Sequence, residues 1–112
     1  MLNARTGTYF TGTQGDVFAE TIGRVMRYID AGGDCIFVPG VADADTIGRL
    51  AAAIPGPLNI VAGLANMIDA PTLLSLGVKR VSLGGSIARA ALSTLERAAR
   101  ELHDSGTLGK AT

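Results

Sequence analysis

Three times in this chain the same run of residue types recurs. A helix-like stretch ends at glycine or proline, a short and almost wholly apolar run follows, and small residues make a turn. Tyr28-Ile-Asp-Ala-Gly-Gly-Asp34 leads into Cys35-Ile-Phe-Val38 and Pro39-Gly40. Leu50-Ala-Ala-Ala-Ile-Pro-Gly-Pro57 leads into Leu58-Asn-Ile-Val61 and Ala62-Gly63. Leu73-Leu-Ser-Leu-Gly-Val-Lys79 leads into Arg80-Val-Ser-Leu83 and Gly84-Gly85. The centres of the apolar runs, Phe37, Ile60 and Val81, lie 23 and 21 residues apart. That is about one helix plus one strand with short loops. Strands that alternate with helices at this spacing predict a parallel sheet. Continuous apolar strands predict a sheet covered by helices on one side and packed on the other.

The chain has 112 residues, enough for one domain of this kind. Met1 to Arg5 reads as a first strand, and a polar, Gly-rich loop over Thr6 to Gly15 follows it. Asp16 caps a helix over about 17–31 that carries Phe18, Ile22, Val25, Met26 and Ile29 on one face. Asp43 caps a second helix over 44–53, with Ile47, Leu50, Ala51 and Ile54 inward. Ala62 to Ile68 forms another loop, Asp69 caps a short helix ended by Gly77, and a strand runs from Val78 to Leu83. Ser86 caps a last helix over about 87–104 with the stripe Ala88, Leu92, Leu95, Ala99 and Leu102. Ser105 to Thr112 reads as a flexible tail. The order is βαβαβαβα. Right-handed crossovers lay such strands side by side in sequence order. Four βα units make half of an eightfold barrel, whose typical length is about 250 residues. Residues 1–104 are therefore read as a partial barrel domain, and a half-barrel needs a partner, either a second copy or a missing half.

Ten basic and ten acidic residues cancel, which leaves no basic stripe for nucleic acid. No apolar run approaches the roughly 20 residues of a membrane span, and the first residues do not form a secretory leader. The lone Cys35 reads as a small core residue. These features together predict a cytoplasmic protein.

Function in such folds gathers at the carboxyl ends of the strands. Arg5 ends the first strand, where a guanidinium offers a bidentate grip on a carboxylate or phosphonate, or an ion pair in the sheet rim. Gly84-Gly85-Ser86 precedes a helix, where it either binds an anion through backbone N–H groups or is an ordinary turn. Pro39-Gly40 and Ala62-Gly63 carry no titratable group and shape a pocket. His103 and the arginines 24, 27, 49, 97 and 100 read as solvated helix faces. Asp43 and Asp45 are explained by capping and by the helix dipole. No carboxylate set suits a divalent metal, and no residue is singled out as catalytic.

The motifs Leu2-Asn-Ala-Arg-Thr6, Ala31-Gly-Gly-Asp-Cys-Ile-Phe-Val-Pro-Gly40, Pro57-Leu-Asn-Ile-Val61 and Leu76-Gly-Val-Lys-Arg-Val-Ser-Leu-Gly-Gly85 follow one another in this chain. In this order the chain resembles the isocitrate lyase/phosphoenolpyruvate mutase superfamily, and especially its phosphonomutase-like bacterial members. The resemblance covers strands five to eight of the family's (β/α)8 barrel. It implies an enzyme that cleaves or forms C–C or P–C bonds next to a 2-oxo acid, through an enolate held on Mg2+. It implies that Arg5 contacts the carboxylate or phosphonate of a small-molecule substrate and that Gly84, Gly85 and Ser86 line the same mouth. It carries over no metal ligands, so the expectation is a truncated lyase or mutase, inactive alone. The alternatives are a non-catalytic half-barrel that self-associates and, less well matched, a flavodoxin-like binding domain. Gly7 stands where the family pattern has an acid, which removes a negative charge beside Arg5.

Overall fold

In the computed structural model, residues 1–12, 14–63 and 68–110 are described. The chain divides into two compact units, Met1–Ser82 and Leu83–Thr112. The first contains a sheet of four parallel strands in the order β1-β2-β3-β4. They are β1 (Asn3–Arg5), β2 (Cys35–Phe37), β3 (Leu58–Val61) and β4 (Arg80–Ser82). Their order along the sheet is their order in the chain, as right-handed crossovers require. The four βα units are a partial TIM-barrel-like fold. The register places Arg5 beside Phe37, Phe37 beside Asn59, and Asn59 beside Arg80.

Three aspartates start the helices between the strands. Asp16 accepts from the Ala19 amide at the start of α2 (Val17–Asp30), Asp43 from the Thr46 amide at α3 (Ala44–Ala53), and Asp69 from the Thr72 amide at α4 (Ala70–Ser75). Each bond satisfies an amide that the first turn leaves without a partner. The amide bonds from Thr46 and Thr72 hold the Asp43 and Asp69 carboxyls below the usual value of 3.8. A carboxylate depressed in the folded state contributes stability above its unfolded value, and that stability is lost as pH falls through the folded value. The melting temperature is therefore expected to drop as pH falls from about 4 to about 2. The double variant Asp43→Asn, Asp69→Asn keeps both caps, because asparagine caps as well as aspartate. It should flatten that drop in thermal melts across the same range.

The core lies between the sheet and these helices. It gathers Val25, Ile36, Val38, Ile47, Leu50, Ile54, Leu58, Ile60, Leu73 and Val78, with Ala4 and Val81 packed against it. The apolar face expected for α3 is the buried one: Ile47, Leu50 and Ile54 are inside. On α2, Val25 is buried but Met26 is exposed.

Several boundaries differ from expectation for local reasons. The loop over Thr6–Gly15 contains a one-turn helix, α1 (Thr8–Thr11), nucleated where the Gly7 carbonyl accepts from the Phe10 and Thr11 amides. The first strand starts at Asn3 rather than Met1. The last starts at Arg80 rather than Val78, because the Val78 amide is taken by the Leu73 carbonyl at the end of α4. Gly77, at φ +99°, makes the turn there, and its hydrogen faces the Ala51 methyl where a Cβ would stand 3.1 Å away. The loop expected over Ala62–Ile68 falls mostly on residues 64–67, outside the described residues.

The second face of the sheet is not the apolar surface expected. Residues that alternate with the core positions are Asn3 and Arg5, Cys35 and Phe37, Asn59 and Val61, and Arg80 and Ser82. The strands look continuously apolar in sequence because Cys35, Phe37 and Val61 fill gaps in this polar row.

The second unit is built on α5 (Ser86–Ser105). Its N-cap is Gly85, not Ser86. The Ser86 amide donates to the Leu83 carbonyl, which draws Ser86 into the first turn. The stripe of Leu92, Leu95 and Leu102 is exposed. Gly106, in the left-handed region, ends the helix. Beyond it the Thr107 hydroxyl and the Lys110 amide both donate to the Glu101 carboxylate.

Candidate functional site

Arg5 stands at the carboxyl end of β1 with its side chain exposed. Alternation along β1 places it on the polar face, because Ala4 belongs to the core. The guanidinium carbon lies 6.0 Å from the centre of the Phe10 ring and 5.9 Å from that of Phe37. Among the described residues no carboxylate forms an ion pair with it; those pairs join Glu20 to Arg24, Glu96 to Arg100 and Asp104 to His103. The ion-pair reading of Arg5 thus has no partner among them. His103 is exposed, as expected.

On either side of Arg5 the chain buries polar atoms. Asn3 Oδ1 and Thr6 Oγ1 are buried and have no hydrogen-bond partner among the described residues. Pro39-Gly40 behaves as a shaping element. Gly40 is at φ +92°, and a Cβ there would lie 3.3 Å from the Tyr9 Cβ. The turn thus sets how closely α1 can approach. Burial first, and then the Asp43 carboxylate, push the Tyr9 phenol up.

Asn59 and Ser82 form a pair that was not singled out from the sequence. Asn59 is fully buried. Its Nδ2 donates to Ser82 Oγ at 2.9 Å, and the same hydroxyl donates to Asn59 Oδ1 at 3.0 Å. The pair ties β3 to β4 on the polar face. A signal was present: Asn59 stands between Leu58 and Ile60, where only a polar face accounts for an amide. Ser82→Ala leaves both polar atoms of a buried amide unpartnered, at a cost of about 1–3 kcal/mol. Urea unfolding should show that loss, and the double variant Asn59→Leu, Ser82→Ala should recover part of it.

Of the other expected site residues, Gly84, Gly85 and Ser86 lie in the second unit and Arg5 in the first. Gly84 is at φ +54°, and Arg89 Nη2 donates to Ser86 Oγ at 3.3 Å. Cys35 is buried. Among the described residues no group of three or more His, Cys, Asp or Glu side chains could hold a metal ion. The residues described therefore do not fit the Mg2+ that the resemblance implies. No helix among them is long and apolar enough to cross a membrane.

A single sheet of four parallel strands in chain order, alternating with helices, defines a barrel-type α/β protein. The chain belongs to the phosphoenolpyruvate phosphomutase family, whose sequence model matches residues 1–103. Uncharacterized proteins from two strains of Mycobacterium tuberculosis are 41% identical over 105 residues, which are 92% of this chain and 39% of theirs. A protein of Burkholderia cenocepacia J2315 described as a lyase/mutase has a crystal structure that matches with a TM-score of 0.85 at 42% identity. The match covers 96% of this chain and 39% of that one. A structure from the same organism that is described as a phosphonomutase gives 0.81 at 31% identity, over 88% of this chain and 42% of its own. An oxaloacetate acetylhydrolase in complex with oxalate gives 0.83 at 20% identity, over 96% of this chain and 37% of its own, a likeness of fold. The chain thus spans about two-fifths of the length of these relatives.

Proposed function

We propose that this chain supplies strands five to eight of the family barrel to a lyase or mutase acting beside a 2-oxo acid. In this reading Arg5 grips the carboxylate or phosphonate of a small-molecule substrate. One observation carries it: an exposed guanidinium at the carboxyl end of β1, on the polar face, with no carboxylate paired to it among the described residues. Such a group binds planar anions bidentately. The turn Gly84-Gly85-Ser86 is assigned a substrate contact because the resemblance implies one. Residues 1–104 are the barrel part and 105–112 a tail, and the compartment is the cytoplasm.

The reaction class is cleavage or formation of a C–C or P–C bond. Among the described residues no ligand set exists for the Mg2+ that the resemblance implies. This chain alone is read as non-catalytic. The purified chain, supplied with Mg2+ and phosphonopyruvate, oxaloacetate or 2-methylisocitrate, is expected to give no turnover, and measurable turnover would overturn that reading.

A second reading is self-association of the chain, or pairing with a complementary half. The sheet's two edge strands favour it, since β1 and β4 each have one strand neighbour. A monomeric mass in solution at micromolar concentration would count against self-association.

A further inference from the structure

The geometry points to a positioning role for Phe10: with Phe37 it orients the Arg5 guanidinium by its aromatic ring. This inference rests on the reading of Arg5 as the anion grip. Four observations carry it. The guanidinium lies at about equal distance from two rings, 6.0 Å from Phe10 and 5.9 Å from Phe37, within the range of cation–π attraction. Position 7, two residues on from Arg5, is Gly7 and offers no side chain, and no ion pair joins Arg5 to a carboxylate among the described residues.

Phe10 is also 57% exposed, so burial does not explain a large ring there. Finally, the turn that presents it is braced. The Thr21 hydroxyl donates to the Val17 carbonyl, which leaves Thr8 to donate to Thr21 across 2.6 Å and ties α1 to α2. Gly40 backs the same turn at Tyr9. A one-turn helix fixed on two sides holds its third residue, Phe10, in a defined place. Phe37 is fixed by β2, as the register neighbour of Arg5.

The chemical consequence is specific. A carboxylate partner would orient the guanidinium but also occupy its N–H donors and cancel its charge. Two ring faces restrict the guanidinium and leave its donors free. The site is then suited to an organic anion whose carboxylate or phosphonate takes the donors.

The test uses the full chain labelled with 15N, with the Arg5 Nε–Hε resonance assigned by its loss in Arg5→Lys. Phosphonoacetate is the probe, since it carries both anionic groups. Phe10→Ala is expected to shift that resonance by removing a ring current and to raise the phosphonoacetate Kd about two- to fivefold. Phe10→Tyr should restore both readouts, and Phe10→Leu, which keeps bulk without a ring, should restore neither. An unmoved Arg5 resonance in Phe10→Ala overturns the inference, as does a leucine that binds as well as the tyrosine. If Arg5→Ala binds phosphonoacetate as the unaltered chain does, the anion reading of Arg5 falls. The ring-current shift alone then upholds or overturns the placement of Phe10.

Discussion

Leu50→Ala is expected to destabilise the first unit by about 2–5 kcal/mol. Leu50 sits on α3 with no exposed surface, in the core cluster with Ile36, Ile47, Leu58 and Ile60. Removing its isobutyl group loses the transfer free energy of the buried carbons. It also opens a cavity that the rigid sheet beneath cannot close. Domains of this kind are stable by about 5–15 kcal/mol in total, so the loss is a large fraction. Thermal or urea unfolding should show it as a lowered midpoint. Leu95→Ala is the matched control. Leu95 lies on α5 and is 64% exposed, so its truncation should stay within about 0.5 kcal/mol. Equal losses at the two positions would contradict the assignment of the core.

The second large effect is on binding. Arg5→Ala should weaken phosphonoacetate affinity by about 10- to 100-fold, the value of charge-assisted hydrogen bonds of about 1.5–3 kcal/mol. Arg5→Lys should recover only part of that, because an ammonium offers a point charge in place of a planar fork. The effect should shrink as salt rises, since Arg5 is exposed and its field is screened. Stability should hardly change, because Arg5 is outside the core cluster. Calorimetric titration of the three chains measures the affinities, and their melting temperatures check that folding is unaltered.

Much of this fold could be read from the residues. The recurring apolar runs located β2, β3 and the centre of β4, the opening stretch Met1 to Arg5 contained β1, and three aspartates marked the helix starts because an N-cap is a local device. What escaped was set by contacts distant in sequence. The turn of α1 depends on Thr8 meeting Thr21, a buried pair that no periodicity announces. The start of β4 moved because the Leu73 carbonyl at the end of α4 took the Val78 amide. The polar face of the sheet was hidden by Cys35, Phe37 and Val61, which kept the strands looking continuously apolar. At the candidate site Arg5 was legible from its place at the end of a strand. Its two aromatic neighbours were not, because Phe10 lies in what reads as a loop and Phe37 in what reads as core. The match to the family agrees with the order of four short motifs, each uninformative alone.

The most direct test of Arg5 as the anion grip is a crystal structure of the chain with phosphonoacetate bound. The account predicts carboxylate or phosphonate oxygens within hydrogen-bond distance of the Arg5 guanidinium, with the Phe10 and Phe37 rings still flanking it. An anion bound elsewhere, with Arg5 turned away to solvent or to another side chain, would contradict it.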